Sequence, residues 1–235
     1  MTGVETIRER AAHVLSRVAR AAERSGRKGE DIRLVAVGKT QPAEYIGEAL
    51  EAGLSVFGEN YVQEAEGKIS AYPHAEWHFI GKLQRNKVKK AVSLFSWIQT
   101  VDSLELLKEI SRRAEEAQKI LPVLAEVNLA GEASKAGMEP EALPGLVEAA
   151  PGLAGIRLKG LMAIPPWTDD PEETRPYFIR LRELLSECVS RGGAGAGMTE
   201  LSMGMSNDFE AAIEEGATMV RVGTAIFGSR VRRAT

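Results

Sequence analysis

The chain carries a single cysteine, Cys188. One thiol cannot close an internal disulfide, so no disulfide framework stabilises the fold. The three histidines, His13, His74 and His78, make no Cys/His cluster at metal-ligand spacing. Long apolar runs are missing too. No stretch reaches the ~20 residues that a membrane-spanning helix requires. The start, Thr2-Gly3-Val4-Glu5 followed by mixed charges, is not a signal peptide. Neither sign of charge dominates: the net charge is −3, which makes no electrostatic case for nucleic acid or an anionic membrane. The expected compartment is the cytoplasm, with no nucleic-acid and no membrane partner.

Apolar content is 44% and charged content 27% of 235 residues, enough to bury a sizeable core. The first strong signal is Arg33–Thr40, Arg-Leu-Val-Ala-Val-Gly-Lys-Thr. Its valine-rich run fits a strand buried on both faces. Pro42 and a helical period at Ile46, Ala49 and Leu50 follow, ended by Gly53. Lys39 therefore falls at the carboxyl end of a buried strand, where parallel α/β folds bind ligands. It is either a rim lysine reaching solvent or a desolvated amine suited to a Schiff base.

Upstream, residues 3–24 repeat apolar side chains at helical spacing, and Thr2 with Glu5 can form a capping box. Downstream, strands are predicted at Arg33–Gly38, Leu54–Gly58, Glu76–Gly81, Trp97–Val101, Pro122–Asn128, Arg157–Ala163, Glu200–Gly204 and Met219–Gly223. Helical periods separate them. One, from Leu104, is capped by Asp102 with Glu105 three residues on. Eight β/α units predict a closed (β/α)8 TIM barrel with an extra N-terminal helix, in preference to an open doubly wound sheet. The whole chain, 1–235, is expected to be a single domain. The glycine-rich Arg191–Gly197 follows a helix and precedes a strand, so it is expected to be a flexible connector on the non-catalytic face.

In a barrel, residues just beyond each strand converge on one mouth. Here these include Lys39, Glu59, Asn60, Tyr61, His78, Lys82, Asn128 and Met162, then the run Met203–Asp208, then Arg221, Gly223 and Thr224. Ser206 is expected to cap the helix of Phe209–Glu215. Ser206, Gly223 and Thr224 fall in the two loops that often bind phosphate in barrels. Arg221 interrupts an apolar strand, either paired with a barrel carboxylate or facing a ligand. His78 is expected inside the barrel, as a satisfied core histidine or a ligand contact. Lys82–Lys90 reads as a solvated basic face or a local anion site. Lys135, on the loop after the fifth strand, reads either as a group reaching the mouth or as a mobile loop charge. Cys188 reads as core.

At these residues the chain closely resembles the pyridoxal 5′-phosphate homeostasis proteins, single-domain relatives of the alanine racemase barrel. The matching stretches are Val35–Thr40, Phe57–Tyr61, His78–Lys87, Gly160–Met162, Leu201–Asp208 and Val220–Gly228. The resemblance implies that Lys39 carries pyridoxal phosphate as an internal aldimine and that Ser206, Gly223 and Thr224 hold the phosphate. It also implies that Arg221 faces the pyridine nitrogen, with Asn60 and Met203 lining the ring. The candidate cofactor-binding set is therefore Lys39, Asn60, His78, Met203, Ser206, Arg221, Gly223 and Thr224. The family often has serine before the lysine, where this chain has Gly38. Racemases of this fold take a second acid/base tyrosine from a further domain of the partner subunit, which this chain is expected to lack. The implied role is a non-catalytic cofactor carrier or buffer, a monomer, handing pyridoxal phosphate to apo-enzymes. Two alternatives stay open at this point. One is a racemase or lyase using Tyr61, His78 or a solvent molecule as the second acid/base. The other is a Schiff-base aldolase for sugar phosphates.

Overall fold

Buried valine-rich runs alternating with helical periods set the order of elements seen in a computed structural model. The structure describes residues 5–131 and 136–228. Helix α1 (Ile7–Arg24) precedes β1 (Arg33–Val37), α2 (Ala43–Glu51), β2 (Val56–Glu59), α3 (Val62–Ala71), β3 (Glu76–Phe79) and α4 (Val88–Leu94). Then come β4 (Trp97–Val101), α5 (Leu104–Glu116), β5 (Leu121–Glu126), α6 (Leu143–Ala149), β6 (Ile156–Met162) and α7 (Arg175–Ser190). The chain finishes with β7 (Glu200–Ser202), α8 (Phe209–Glu214), β8 (Met219–Val222) and α9 (Thr224–Phe227). The strands form a closed barrel in sequence order, β8 pairing parallel with β1 from Arg33↔Met219 to Ala36↔Val222. This is the expected (β/α)8 architecture with its N-terminal helix.

Two apolar clusters follow from the period-2 alternation of the strands. Outward residues such as Phe57, Ile98, Val123 and Val222 pack under the helices in one large core. Inside the barrel, Leu124, Met162 and Met219 form a small cluster against Trp97. Val35, Val37 and Ile80 are also buried but belong to neither cluster.

Helix α1 has a structural task. Its apolar stripe, Ile7, Ala11, Val14, Val18, Ala21 and Ala22, is buried. It packs against α2, α8 and α9. Because α9 is a single turn, α1 takes the place in the helix ring that covers the β8–β1 seam. Arg10 Nε donates to Ile226 O (2.6 Å), and Arg27 donates to Ala217 O (2.8 Å) and Ile213 O.

Several boundaries differ from expectation. The capping box of α1 is Thr6 with Glu9, not Thr2 with Glu5, and Thr2 lies outside the described residues. The cap of α5 is Ser103, whose hydroxyl accepts from Leu106 N; Asp102 instead accepts from Ser103. Strand β2 extends to Glu59, while β3 and β5 stop at Phe79 and Glu126, short of the predicted ends. The glycine-rich segment forms a 3-10 helix, Gly193–Gly197, rather than a connector without structure of its own. Among the described residues, no helix is long and apolar enough to cross a membrane.

Candidate functional site

The carboxyl ends of the strands surround a cavity of about 390 Å³, within the size range of small-molecule sites. Lys39, at the exit of β1, lines it beside Val37. Asn60 enters from β2, Ile80 from β3, and Arg221, Gly223 and Thr224 from the end of β8. Ser206 and Asp208 come from the loop after β7. The cavity thus gathers six of the eight candidate residues. The exceptions are His78 and Met203, which do not line the cavity. Met203 points outward and is fully buried in the helix-facing core. His78 lies deeper in the barrel, stacked on Trp97 with ring centroids 5.5 Å apart.

Arg221 forms no ion pair within 4.0 Å among the described residues, so the buried salt bridge considered from sequence is absent. Its guanidinium donates to Ser202 Oγ (2.6 Å) and Ala163 O (2.9 Å). Burial lowers its pKa to about 10, opposed by Glu126 and Asp208, so it remains a cation at neutral pH. An arginine can only donate, and this orders everything behind it. Ser202 Oγ accepts from Arg221 and donates its own O–H to Gln99 Oε1 (2.6 Å). The Gln99 amide nitrogen then faces His78 Nδ1 at 2.6 Å, which must accept. His78 is therefore the neutral Nε2–H tautomer, donating to Glu76 Oε1 at 2.8 Å. Burial lowers the His78 pKa against the opposing pull of Glu76, in keeping with a neutral ring. The chain of hydrogen bonds runs through the barrel from cavity to opposite end.

The loops after β7 and β8 meet through Ser206. It does not cap α8, whose N-cap is Asp208. Its Oγ accepts instead from Gly223 N (3.2 Å) and Ala225 N (3.3 Å), at the start of α9. Asp208 Oδ1 accepts from Met205 N (2.6 Å), and burial raises the Asp208 pKa. Backbone N–H groups and a hydroxyl therefore converge on one side of the cavity, opposite in character to its apolar residues Val37 and Ile80. Asn60 Oδ1 is buried with no hydrogen-bond partner among the described residues, an acceptor that a ligand donor would satisfy.

Two buried carboxyls flank the site. Glu126, at the end of β5, has its pKa raised to about 7, chiefly by burial, with Arg221 opposing and Asp102 adding. Glu59, at the end of β2, is likewise raised to about 7 by burial, against the opposing effect of Lys68. The basic stretch forms the 3-10 helix Arg85–Lys87 and the start of α4, with Lys90 paired to Glu66. Lys135 lies outside the described residues. Sequence reasoning missed Gln41, Ile164 and Trp167, which also line the cavity. Trp167 is 71% exposed. An unpaired tryptophan in the Ile-Pro-Pro-Trp loop after a barrel strand was the available signal.

The arrangement can hold a planar ligand that carries a carbonyl for the lysine, an anionic group for the β7–β8 loops, and a polar edge for Arg221. Comparisons with known proteins agree on the family. The alanine racemase N-terminal domain model matches residues 11–231. The pyridoxal phosphate homeostasis protein of Aquifex aeolicus is 46% identical over 224 residues, covering 94% of this chain and 97% of its own. That of Pseudomonas aeruginosa is 45% identical over 229 residues, covering 97% of each. PipY of Synechococcus elongatus, solved with pyridoxal phosphate bound, is 37% identical with a TM-score of 0.84, covering 95% of this chain and 100% of that one. Alanine racemase of Clostridium difficile shares the fold at 17% identity, with a TM-score of 0.72 over 93% of this chain and 56% of that one. From its barrel, its cavity and these relatives alike, the chain belongs to the pyridoxal phosphate homeostasis proteins of the alanine racemase N-terminal domain family.

Proposed function

We propose that this protein binds pyridoxal phosphate covalently at Lys39 and serves as an intracellular carrier or buffer of the cofactor. The observation that carries the reading is the gathering of Lys39, Arg221 and the Ser206–Gly223–Thr224 loops around one cavity. The residues present fit the group: an amine for its aldehyde, N–H groups and hydroxyls for its phosphate, and an orphaned Asn60 acceptor beside apolar Val37 and Ile80. When bound, the cofactor supplies an aldehyde that an amine can hold covalently and a ring able to withdraw electrons. Lys39 supplies the amine. Ser206, Gly223 and Thr224 hold the phosphate. Arg221 is assigned to the ring nitrogen, where a permanent cation disfavours a second proton.

The same arginine favours storage over catalysis, because an unprotonated ring is the weaker electron sink. Tyr61 and His78, the side chains considered as a second acid/base, do not line the cavity. We therefore assign no catalytic residue, and take the barrel to act as one cytoplasmic domain, as a monomer, with apo-enzymes as recipients.

The test is the visible spectrum of the purified protein with added pyridoxal phosphate, repeated for Lys39→Ala. A bound-cofactor band present in wild type, lost in the variant and fixed by borohydride at Lys39 is expected. An amino-acid panel in deuterated water should show no sustained α-proton exchange. No band in wild type would remove the cofactor reading, and robust turnover would convert the carrier into an enzyme.

A further inference from the structure

Lys39 sits at a corner of the backbone that is held from outside the cavity. The N–H of Gln41 donates to Gly38 O at 3.0 Å, closing the turn Gly38–Gln41. Thr40, the third residue of that turn, has φ 63°, while Lys39 is not among the positive-φ residues. This is the φ pattern of a type II turn, whose third position normally takes glycine or asparagine. A β-branched residue in the left-handed region is strained, and such strain persists only where surrounding contacts enforce it.

Those contacts come from α3. Lys68, 5% exposed, donates to Gly38 O (2.7 Å), Glu59 Oε1 (2.8 Å) and Glu64 Oε1 (2.8 Å). Glu64 Oε1 also accepts the N–H of Thr40. The carbonyl of Gly38 and the N–H of Thr40 belong to the two peptide groups on either side of Lys39. One ammonium and one carboxylate, a single helical turn apart, therefore tie down both. Glu59 is fully buried, and its Oε1 seats the Lys68 ammonium from below by accepting from it. A Cβ at residue 38 would stand 3.0 Å from Glu59 Oε1 and 2.7 Å from Ile46 Cδ1, so glycine at this position leaves room for the pair to approach the turn.

We propose that Glu64 and Lys68, seated on Glu59, are positioning residues that clamp the strained Lys39–Thr40 turn and set how the Lys39 amine is presented to the cavity. The proposal rests on the assignment of Lys39 as the covalent attachment point. Released from the clamp, Thr40 relaxes out of the left-handed region, both peptide groups of Lys39 rotate, and the amine moves off its line into the cavity. A merely structural ion pair between α3 and β2 would have no such consequence for Lys39.

The test compares wild type, Glu64→Ala, Glu64→Gln and the double variant Glu64→Ala/Thr40→Gly. Glu64 is 28% exposed at its side chain, so its removal leaves no deeply buried void. Two rates are read: capture of pyridoxal phosphate at Lys39, and labelling of Lys39 by an amine-reactive reagent without cofactor, both mapped by peptide. Thermal unfolding of each variant is recorded alongside. Glu64→Ala should slow capture about tenfold, equivalent to about 1.4 kcal/mol of barrier, and should change the labelling rate of Lys39. Glu64→Gln keeps an acceptor for Thr40 N–H and should stay within about threefold of wild type, about 0.65 kcal/mol. Glycine adopts the left-handed region without strain, so the double variant should recover most of the lost rate. Unchanged capture and labelling in Glu64→Ala would overturn the clamp. So would failure of Thr40→Gly to restore either rate in a folded double variant. Wild type that labels at Lys39 but never captures the cofactor would sink the cofactor assignment alone, and the labelling rates would still decide the clamp.

Discussion

Gln99 is the residue on which the barrel interior depends most directly. Its amide joins a hydroxyl that must donate, Ser202, to a ring nitrogen that must accept, His78. Gln99→Leu leaves both buried groups without partners, and each orphaned group costs about 1–3 kcal/mol. A loss of about 3 kcal/mol in the unfolding free energy of the cofactor-free protein is expected, read by guanidinium denaturation. A loss under about 1 kcal/mol would mean that water replaces the amide and that the chain does not orient Arg221. Legibility at this scale follows local pattern. Lys39 stood out because it ends a valine-rich run, and Arg221 because a cation interrupts one. The partners of Arg221 were not readable, because Ser202 and Gln99 reach it only through the register of three strands. The pairing of Glu59 with Lys68 was hidden for the same reason: α3 must pack beside β1 and β2 before they meet under Gly38.

Elements are joined as much by arginines as by apolar stripes. Arg27, just past α1, donates to Ile213 O near the end of α8 and to Ala217 O beyond it. It therefore adds a charge-assisted bond to Ile213 O, which also accepts from Gly216 N, and ties Ala217 O in the segment after α8. Arg27→Ala should destabilise the protein by about 2 kcal/mol, as charge-assisted hydrogen bonds contribute about 1.5–3 kcal/mol. Arg27→Lys should recover only part, since an ammonium cannot reproduce the fork. Equal stability of wild type and Arg27→Ala in chemical denaturation would show that α1 is held by its apolar face alone. A smaller effect, about 1 kcal/mol, is expected for Ser206→Ala, which frees the N–H groups of Gly223 and Ala225. The existence and type of the strongly periodic elements were readable. Their caps were not, and the failures share a cause. Thr2 and Thr6, Asp102 and Ser103, Ser206 and Asp208 all have capping side chains. Which one caps depends on where the backbone turns into the helix, and that is decided by packing rather than by the neighbouring letters.

At the scale of the whole molecule, eight apolar runs announced a closed barrel, because strand count survives errors of two or three residues at each end. What fills the barrel was not announced. Its interior mixes a small apolar cluster with polar side chains, and buried carboxyls stand near the mouth. That composition makes global stability depend on pH. Glu59 and Glu126 have pKa values raised to about 7, in both cases mainly by burial. Lys68 and Lys39 oppose the shift at Glu59 while Glu64 adds to it; Arg221 and Lys82 oppose it at Glu126 while Asp102 adds. Each carboxyl binds its proton more tightly in the folded chain than in the unfolded one. Their contribution is thus fully present below the ordinary carboxylate range and is lost as pH rises through about 7. His78, lowered by burial, acts the other way, but its effect is complete above about pH 6.5. Between about pH 6.5 and about pH 8.5 the two carboxyls should therefore dominate, and the cofactor-free protein should lose about 1–2 kcal/mol. Glu126→Gln, which removes one of the two protons, should shrink that loss by about half in denaturation series at the two pH values. A wild-type stability that rises across this interval would mean that Glu59 and Glu126 are ionised throughout, with Lys68 and Arg221 outweighing their burial.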